Sequence, residues 1–261
     1  MKSYEVKVDE AARKVVADFG AQPAIHVSDP EYNTFLAEHG NNVGTACQVY
    51  YKTGQAKAVA IRDLIVRHQG AQVDAGLVTS PMSILVFGSR FGHVSRHLVR
   101  LLPNAKLIAL GFEEPEMYFH QNDLSIEAAH VGADANLASA FFKFDVVVAP
   151  HFFCHVPKIQ MLGWLTKSAE FMSKNGLAIT AFQGPLALSR RFPKGPTFDK
   201  NGITQPLIVP STSINGMDFA ETLVRPSAVF DMYEKTRTRV IEFAEGYWDS
   251  INDLYVARKL K

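Results

Sequence analysis

An α/β fold with a doubly wound, mostly parallel sheet is what this sequence predicts, on three observations. From residue 83 onward, short apolar runs rich in β-branched residues alternate with stretches of helical periodicity, the rhythm of βαβ units. The first run, in SILVFGSRFGHVSRHL (83–98), passes through a glycine-bearing turn straight into a helix. The chain then closes on two strand-like runs, RVIEFAEGYW and NDLYVARKL, which predict an antiparallel hairpin at a sheet edge.

The bulk properties fit this class. The chain has 261 residues, 47% of them hydrophobic and 20% charged, with a formal net charge of +1. That length supports a sizeable core, and the balanced charge asks for neither nucleic acid nor an anionic membrane as partner. Two cysteines, Cys47 and Cys154, make no disulfide framework and read as reduced thiols. The charged N-terminus lacks the apolar core of a signal peptide, and no apolar run approaches the roughly 20 residues of a membrane span. A cytoplasmic location is therefore expected.

Residues 1–80 read as an N-terminal helical segment. YEVKVDEAARKVVADFG is one helix. EYNTFLAEHG is a second, after the Ser28-Asp29-Pro30 start signal. QAKAVAIRDLIVRHQG is a third, ended by Gly70. Residues 81–261 read as the α/β domain. Its elements are the strand SILVFG, the helix HVSRHLVRLL, the strand KLIALGF, the strand SIEAAHVG, the strand FDVVVAP, the helix KIQMLGWLTKSAEFMSKNG stopped by Asn175-Gly176, and the strand GLAITAF. Residues 184–226 are dense in Pro and Gly with weak periodicity, and read as a long irregular insertion. Such an insertion is either a functional loop or an unspecialised surface excursion. SAVFDMYEKT is a helix with Ser227 as N-cap.

A helix that starts directly after a buried strand points its free N–H groups past the strand's C-terminal end, and a glycine in the turn lets a ligand approach the backbone. Gly88 and Gly92 bracket that turn. On physical grounds it is a candidate site for a nucleotide or another polar small molecule, although tight helix–strand packing produces the same spacing.

Over roughly residues 50–261 the chain resembles the class I S-adenosylmethionine-dependent methyltransferases. SILVFGSRFGHVSRHLVRLLPNAKLIAL resembles their first strand, glycine loop, first helix and second strand. FKFDVVVAPHFFCHVPKIQMLGWLTKSAEFMSKNGLAITAF resembles their fourth strand, next helix and fifth strand, and YWDSINDLYVARKL their closing hairpin. The resemblance implies a seven-stranded, Rossmann-like methyltransferase fold with S-adenosylmethionine as cofactor. It assigns Gly88, Ser89, Arg90 and Gly92 to the glycine loop, and Asp134-Ala135 to the position beside adenine. Pro150 and His151 fall at the cofactor's methyl end, and Tyr51, with Tyr50 and Gly54, in the segment that closes over the cofactor.

Two positions depart from the family pattern. The usual Asp/Glu-x-Gly-x-Gly-x-Gly reads Val86-Phe87-Gly88-Ser89-Arg90-Phe91-Gly92, with Arg90 for the middle glycine. The acid that accepts bonds from the ribose hydroxyls is replaced by Phe112, with Glu113 one residue on. Losing such a charge-assisted bond, worth roughly 1.5–3 kcal/mol, weakens binding about ten- to a hundredfold unless Glu113 takes the role. Arg90 either pairs with the carboxylate of the methionine moiety or fills the space where the backbone should touch the cofactor.

HFFCH places His151 and His155 at i, i+4, but no further ligand completes a set, so no metal site is expected. His155 matches a histidine that relatives carry after the fourth strand and is the candidate general base. Arg190, Arg191 and Lys194 either bind an anionic acceptor or form a solvated basic loop. The resulting expectation is methyl transfer to an oxygen or nitrogen of a small molecule, such as a sugar, by a homodimer with no nucleic-acid or membrane partner. The alternative is a catalytically inactive methyltransferase-like module with a structural or partner-binding role.

Overall fold

The computed structural model describes residues 3–131, 143–214 and 217–260. Its elements run, in chain order, α1 (Ser3–Phe19), α2 (Pro30–Glu38), α3 (Val43–Gln69), β1 (Val73–Asp74), β2 (Leu77–Val78), β3 (Met82–Phe87), α4 (Ser95–Leu101), β4 (Ala105–Gly111), α5 (Glu114–Asn122), β5 (Glu127–His130), β6 (Phe144–Ala149), a 3-10 turn (Phe152–Cys154), α6 (Lys158–Phe171), β7 (Met172–Gln183), α7 (Pro185–Arg191), β8 (Ile203–Ile214), β9 (Met217–Val224), α8 (Pro226–Lys235), β10 (Thr238–Trp248) and β11 (Asn252–Lys259). They divide into two units. Met1–Pro81 with Ser89–Ala129 form the first, and Met82–Gly88 with His130–Lys261 the second.

In the first unit, α2 begins where Asp29 caps it. The Asp29 carboxylate accepts the backbone N–H groups of Glu31 and Tyr32, and Pro30 supplies a preset φ at the first helical position. Helix α3 is capped by Asn42, whose side chain accepts the Thr45 N–H, and closes on Gly70 in the left-handed region (φ 63°). It begins at Val43 rather than Gln55, because Ala46, Tyr50, Gly54 and Ala58 continue one buried row along it. Tyr32, Leu36, Cys47, Tyr50 and Tyr51 pack with Val8 and Ala12 of α1 into one core.

Arg96, only 3% exposed, holds this unit together. Its guanidinium donates to the carbonyls of Gln22 and Ala24, to the Tyr50 hydroxyl and to the carbonyls of Phe91 and Gly92. Tyr50 in turn donates to Asp29 at 2.7 Å. Burial pushes the Asp29 carboxyl up, while the Tyr50 bond and the Arg96 charge pull it down. The first unit extends beyond the N-terminal segment because of this clasp between residues 22–24 and the turn at 91–92.

In the second unit the strand order is β10-β11-β7-β6-β3. Strand β6 is parallel to both β3 and β7, and Val146, Val147 and Val148 are fully buried between them. A strand covered on both faces reads as a continuous apolar run, which is what FDVVVA is. Strand β11 pairs antiparallel with β7 and with β10, which makes the closing hairpin.

Three expectations are corrected. Helix α6 ends at Phe171, and Met172 already has extended dihedrals (φ −70°, ψ 138°). Asn175-Gly176 is a turn inside β7, where residues between Met172 and Leu177 bulge away from the Phe144–Val146 stretch of β6. Residues 184–226 are not irregular throughout: α7 and the antiparallel pair β8–β9 occupy much of them. Helix α8 is preceded by Arg225, not capped by Ser227, because Pro226, with its preset φ, takes the first position and leaves Ser227 inside the helix.

Candidate functional site

The turn after β3 takes a defined shape. Gly88, Arg90 and Gly92 all lie in the left-handed region, at φ 60°, 48° and 81°. Arg90 therefore adopts a conformation that glycine holds without strain and an L side chain holds at about 1–2 kcal/mol. A Cβ on Gly88 would stand 3.2 Å from Phe152. A Cβ on Gly92 would meet Leu124 Cδ1 at 2.2 Å, so packing alone demands glycine there.

The polar atoms of the turn are engaged within the first unit. The Arg90 guanidinium pairs with Glu116 Oε1 at 3.3 Å. Glu116 is fully buried, and its other oxygen accepts the Phe112 N–H at 2.9 Å. Burial pushes the Glu116 carboxyl up, and Arg90 opposes that shift. Ser89 is buried, with its hydroxyl 2.9 Å from both Ser95 Oγ and His120 Nε2. His120 Nδ1 faces the Glu116 carbonyl at 2.8 Å, so Nδ1 carries the proton and Nε2 accepts from serine. Burial first, then the Arg96 charge, draws the His120 pKa down to about 4, against the Glu116 carbonyl bond. His120 is thus a neutral hydrogen-bonding group at ordinary pH.

Glu113 sits half-buried at the start of α5, and its side chain caps nothing there. Phe112 is 1% exposed. Tyr51 has no exposed surface, and its hydroxyl donates to the Pro23 carbonyl at 2.8 Å within the helical core. Gly54 lies where the His93 carbonyl crosses α3, and a Cβ would stand 2.2 Å from that oxygen. Asp134 and Ala135 lie outside the described residues.

In the second unit, Pro150 is buried directly after β6, and His151 Nε2 lies 3.8 Å from Asp249 Oδ2 in the β10–β11 turn. His155 is exposed at the far end of the 3-10 turn, with its carbonyl accepting the Ala220 N–H. That turn, not an α-helix, separates the two histidines. Arg191 pairs with Glu221 and donates to Gln183, and Arg190 donates to the Ser250 carbonyl, so both have structural partners. Lys194 is exposed. Sequence reasoning missed Glu116, His120 and Asp249.

No family model matches this chain, and no curated protein matches it. Solved structures do match in fold. A methyltransferase from Clostridium acetobutylicum, described as S-adenosylmethionine-dependent, superimposes with a TM-score of 0.58 at 12% identity, over 88% of this chain and 99% of that one. DesVI of Streptomyces venezuelae gives 0.58 at 17% identity, over 90% and 99%. The N-terminal domain of EvdMO1, crystallised in the presence of SAH and D-fucose, gives 0.52 at 15% identity, over 80% and 83%. The fold is therefore that of the class I S-adenosylmethionine-dependent methyltransferases: α/β, with a mostly parallel sheet and an antiparallel C-terminal pair.

Proposed function

We propose that this chain binds S-adenosylmethionine and transfers its methyl group to an oxygen or nitrogen of a small molecule such as a sugar. The observation that carries the reading is the triple left-handed turn at 88, 90 and 92, which keeps the shape of a glycine loop although Arg90 replaces the middle glycine. Neighbours of the same fold were crystallised with SAH, one of them also with D-fucose.

Residues of each unit, taken unit by unit, support that reading. Gly88 and Gly92 leave the two ends of the turn without a side chain. Ser89 and Arg90 hold its form through His120 and Glu116. Glu113, half-buried and uncommitted as a cap, is the acid offered to the ribose hydroxyls in place of Phe112. Pro150 and His151 are the proposed residues at the methyl end. When bound, the cofactor supplies a methyl already activated on a sulfonium, so positioning is most of what the protein must add. His155, exposed, is the proposed acceptor of the nucleophile's proton. Two free, buried cysteines accord with a reducing, cytoplasmic setting.

The Arg90–Glu116 pair and the buried Phe112 favour a second reading, an inactive module with a structural or partner-binding role. Calorimetric titration with S-adenosylmethionine and S-adenosylhomocysteine separates the two. Micromolar binding of either supports the enzyme. Absence of heat at millimolar ligand, with binding gained in the Arg90→Gly/Glu116→Gln double variant, supports the inactive module.

A further inference from the structure

A concavity in the first unit lies along one face of α5. It measures about 360 Å³ and is lined by His26, Glu114, Pro115, Tyr118, Phe119 and Asp123. None of these is a residue proposed for the cofactor. The i, i+4 spacing explains the lining: Glu114 and Tyr118 form one row of the helix, Pro115, Phe119 and Asp123 the next. The volume is at the small end of ligand pockets, which run from about 300 to 1,000 Å³.

The walls are aromatic and built. His26 lies flat on Phe91, with ring centroids 4.2 Å apart and planes 1° from parallel. Phe119 meets both edge-on, at 5.5 Å from His26 and 5.7 Å from Phe91. The Ser28 N–H donates to His26 Nδ1, which fixes the orientation of this ring. Tyr118 is 65% exposed and lines the groove, so its ring is open to a ligand.

The charges are both negative. Glu114 and Asp123 are exposed, and among the described residues neither side chain has an ion pair or hydrogen bond. Asp123 stands at the C-terminal end of α5, where the helix dipole disfavours a carboxylate. A cation near Asp123 would offset that conflict, and Glu114 adds a second negative charge at the other end of the groove. The combination of ring faces and flanking carboxylates is the recognition chemistry of alkylammonium groups.

We propose that this groove is a binding site for a small organic cation of the alkylammonium class, separate from the residues proposed for the cofactor. The probes are choline chloride and its uncharged isostere 3,3-dimethylbutan-1-ol, titrated into the full-length protein at constant ionic strength and followed by aromatic NMR shifts. The expected result is saturable choline binding that moves the Tyr118 and Phe119 signals, at least about tenfold tighter than the alcohol. Tyr118→Leu and the Glu114→Gln/Asp123→Asn pair should each weaken it at least about fivefold, with thermal midpoints unchanged because these positions are exposed. Equal binding of the uncharged isostere, indifference to both variants, or no saturable choline binding would overturn the proposal. None of these outcomes depends on whether S-adenosylmethionine binds.

Discussion

The guanidinium of Arg90 lies 3.3 Å from the buried carboxylate of Glu116, and this pair joins the glycine turn to the first turns of α5. Arg90, one-third exposed at its side chain, has this ionic partner within the first unit. It is the counter-ion of an acid that burial would otherwise disfavour.

Removing one partner should therefore harm more than removing both. Arg90→Gly relieves a left-handed side chain but leaves Glu116 buried without its cation, a loss on the order of 3–5 kcal/mol. The double variant Arg90→Gly/Glu116→Gln should recover most of that. Chemical denaturation of the single and double variants measures it, and equal stability of the two would refute the pairing.

Glycines 92 and 163 should respond in opposite directions to alanine. Gly92→Ala places a Cβ 2.2 Å from Leu124 at φ 81° and should destabilise by several kcal/mol. Gly163 lies inside α6 with nothing within 4 Å, so Gly163→Ala should stabilise by about 0.5–1 kcal/mol. Thermal midpoints decide both.

Asp253 gives the protein a stability that falls as pH rises. It is fully buried in β11, with one oxygen accepting the Gly246 N–H and the other lacking a partner among the described residues. Burial pushes its pKa from 3.8 up to about 6, the Gly246 bond opposing. The folded state then binds more protons than the unfolded one between those values, so stability is lost as pH climbs through that window. Asp253→Asn should stabilise by about 1–3 kcal/mol at pH 8 and by almost nothing at pH 4, read from urea midpoints at both.

His97 acts in the other direction. Burial, then the charges of Arg96 and Arg100, draw its pKa from 6.5 down to about 3, and its Nε2 has no hydrogen-bond partner among the described residues. The unfolded chain takes up a proton below 6.5 that the folded one refuses, so acid destabilises. His97→Phe keeps the edge-on ring contacts to Phe19 and Tyr51. It should reduce the loss between pH 6.5 and 4 by about 1 kcal/mol per pH unit, in the same denaturation series.

Much of the architecture was legible because its signals are local. Asp29-Pro30 and Gly70 mark helix ends by their own dihedrals and side chains, and the three valines of β6 announce a strand covered on both faces. Asn175-Gly176 misled because a turn signal says only that the backbone reverses locally. Here it serves a bulge within β7. Strand β8 hid behind Pro206 and Pro210, residues an outer strand tolerates, and among the described residues it pairs with β9. In the site, the glycines were readable and Glu116 was not. EEPEM looks like an exposed helix start, and only the distant Arg90 and the Phe112 N–H make its third acid an interior group.

The Arg96 clasp makes the first two dozen residues part of the scaffold that shapes the glycine turn. A shortened protein starting at Ser28 would leave that guanidinium without the Gln22 and Ala24 oxygens while it still faced Phe91 and Gly92. The segment after the amino-terminal helix is therefore no detachable ornament: losing residues 22–24 would slacken the turn some seventy residues downstream.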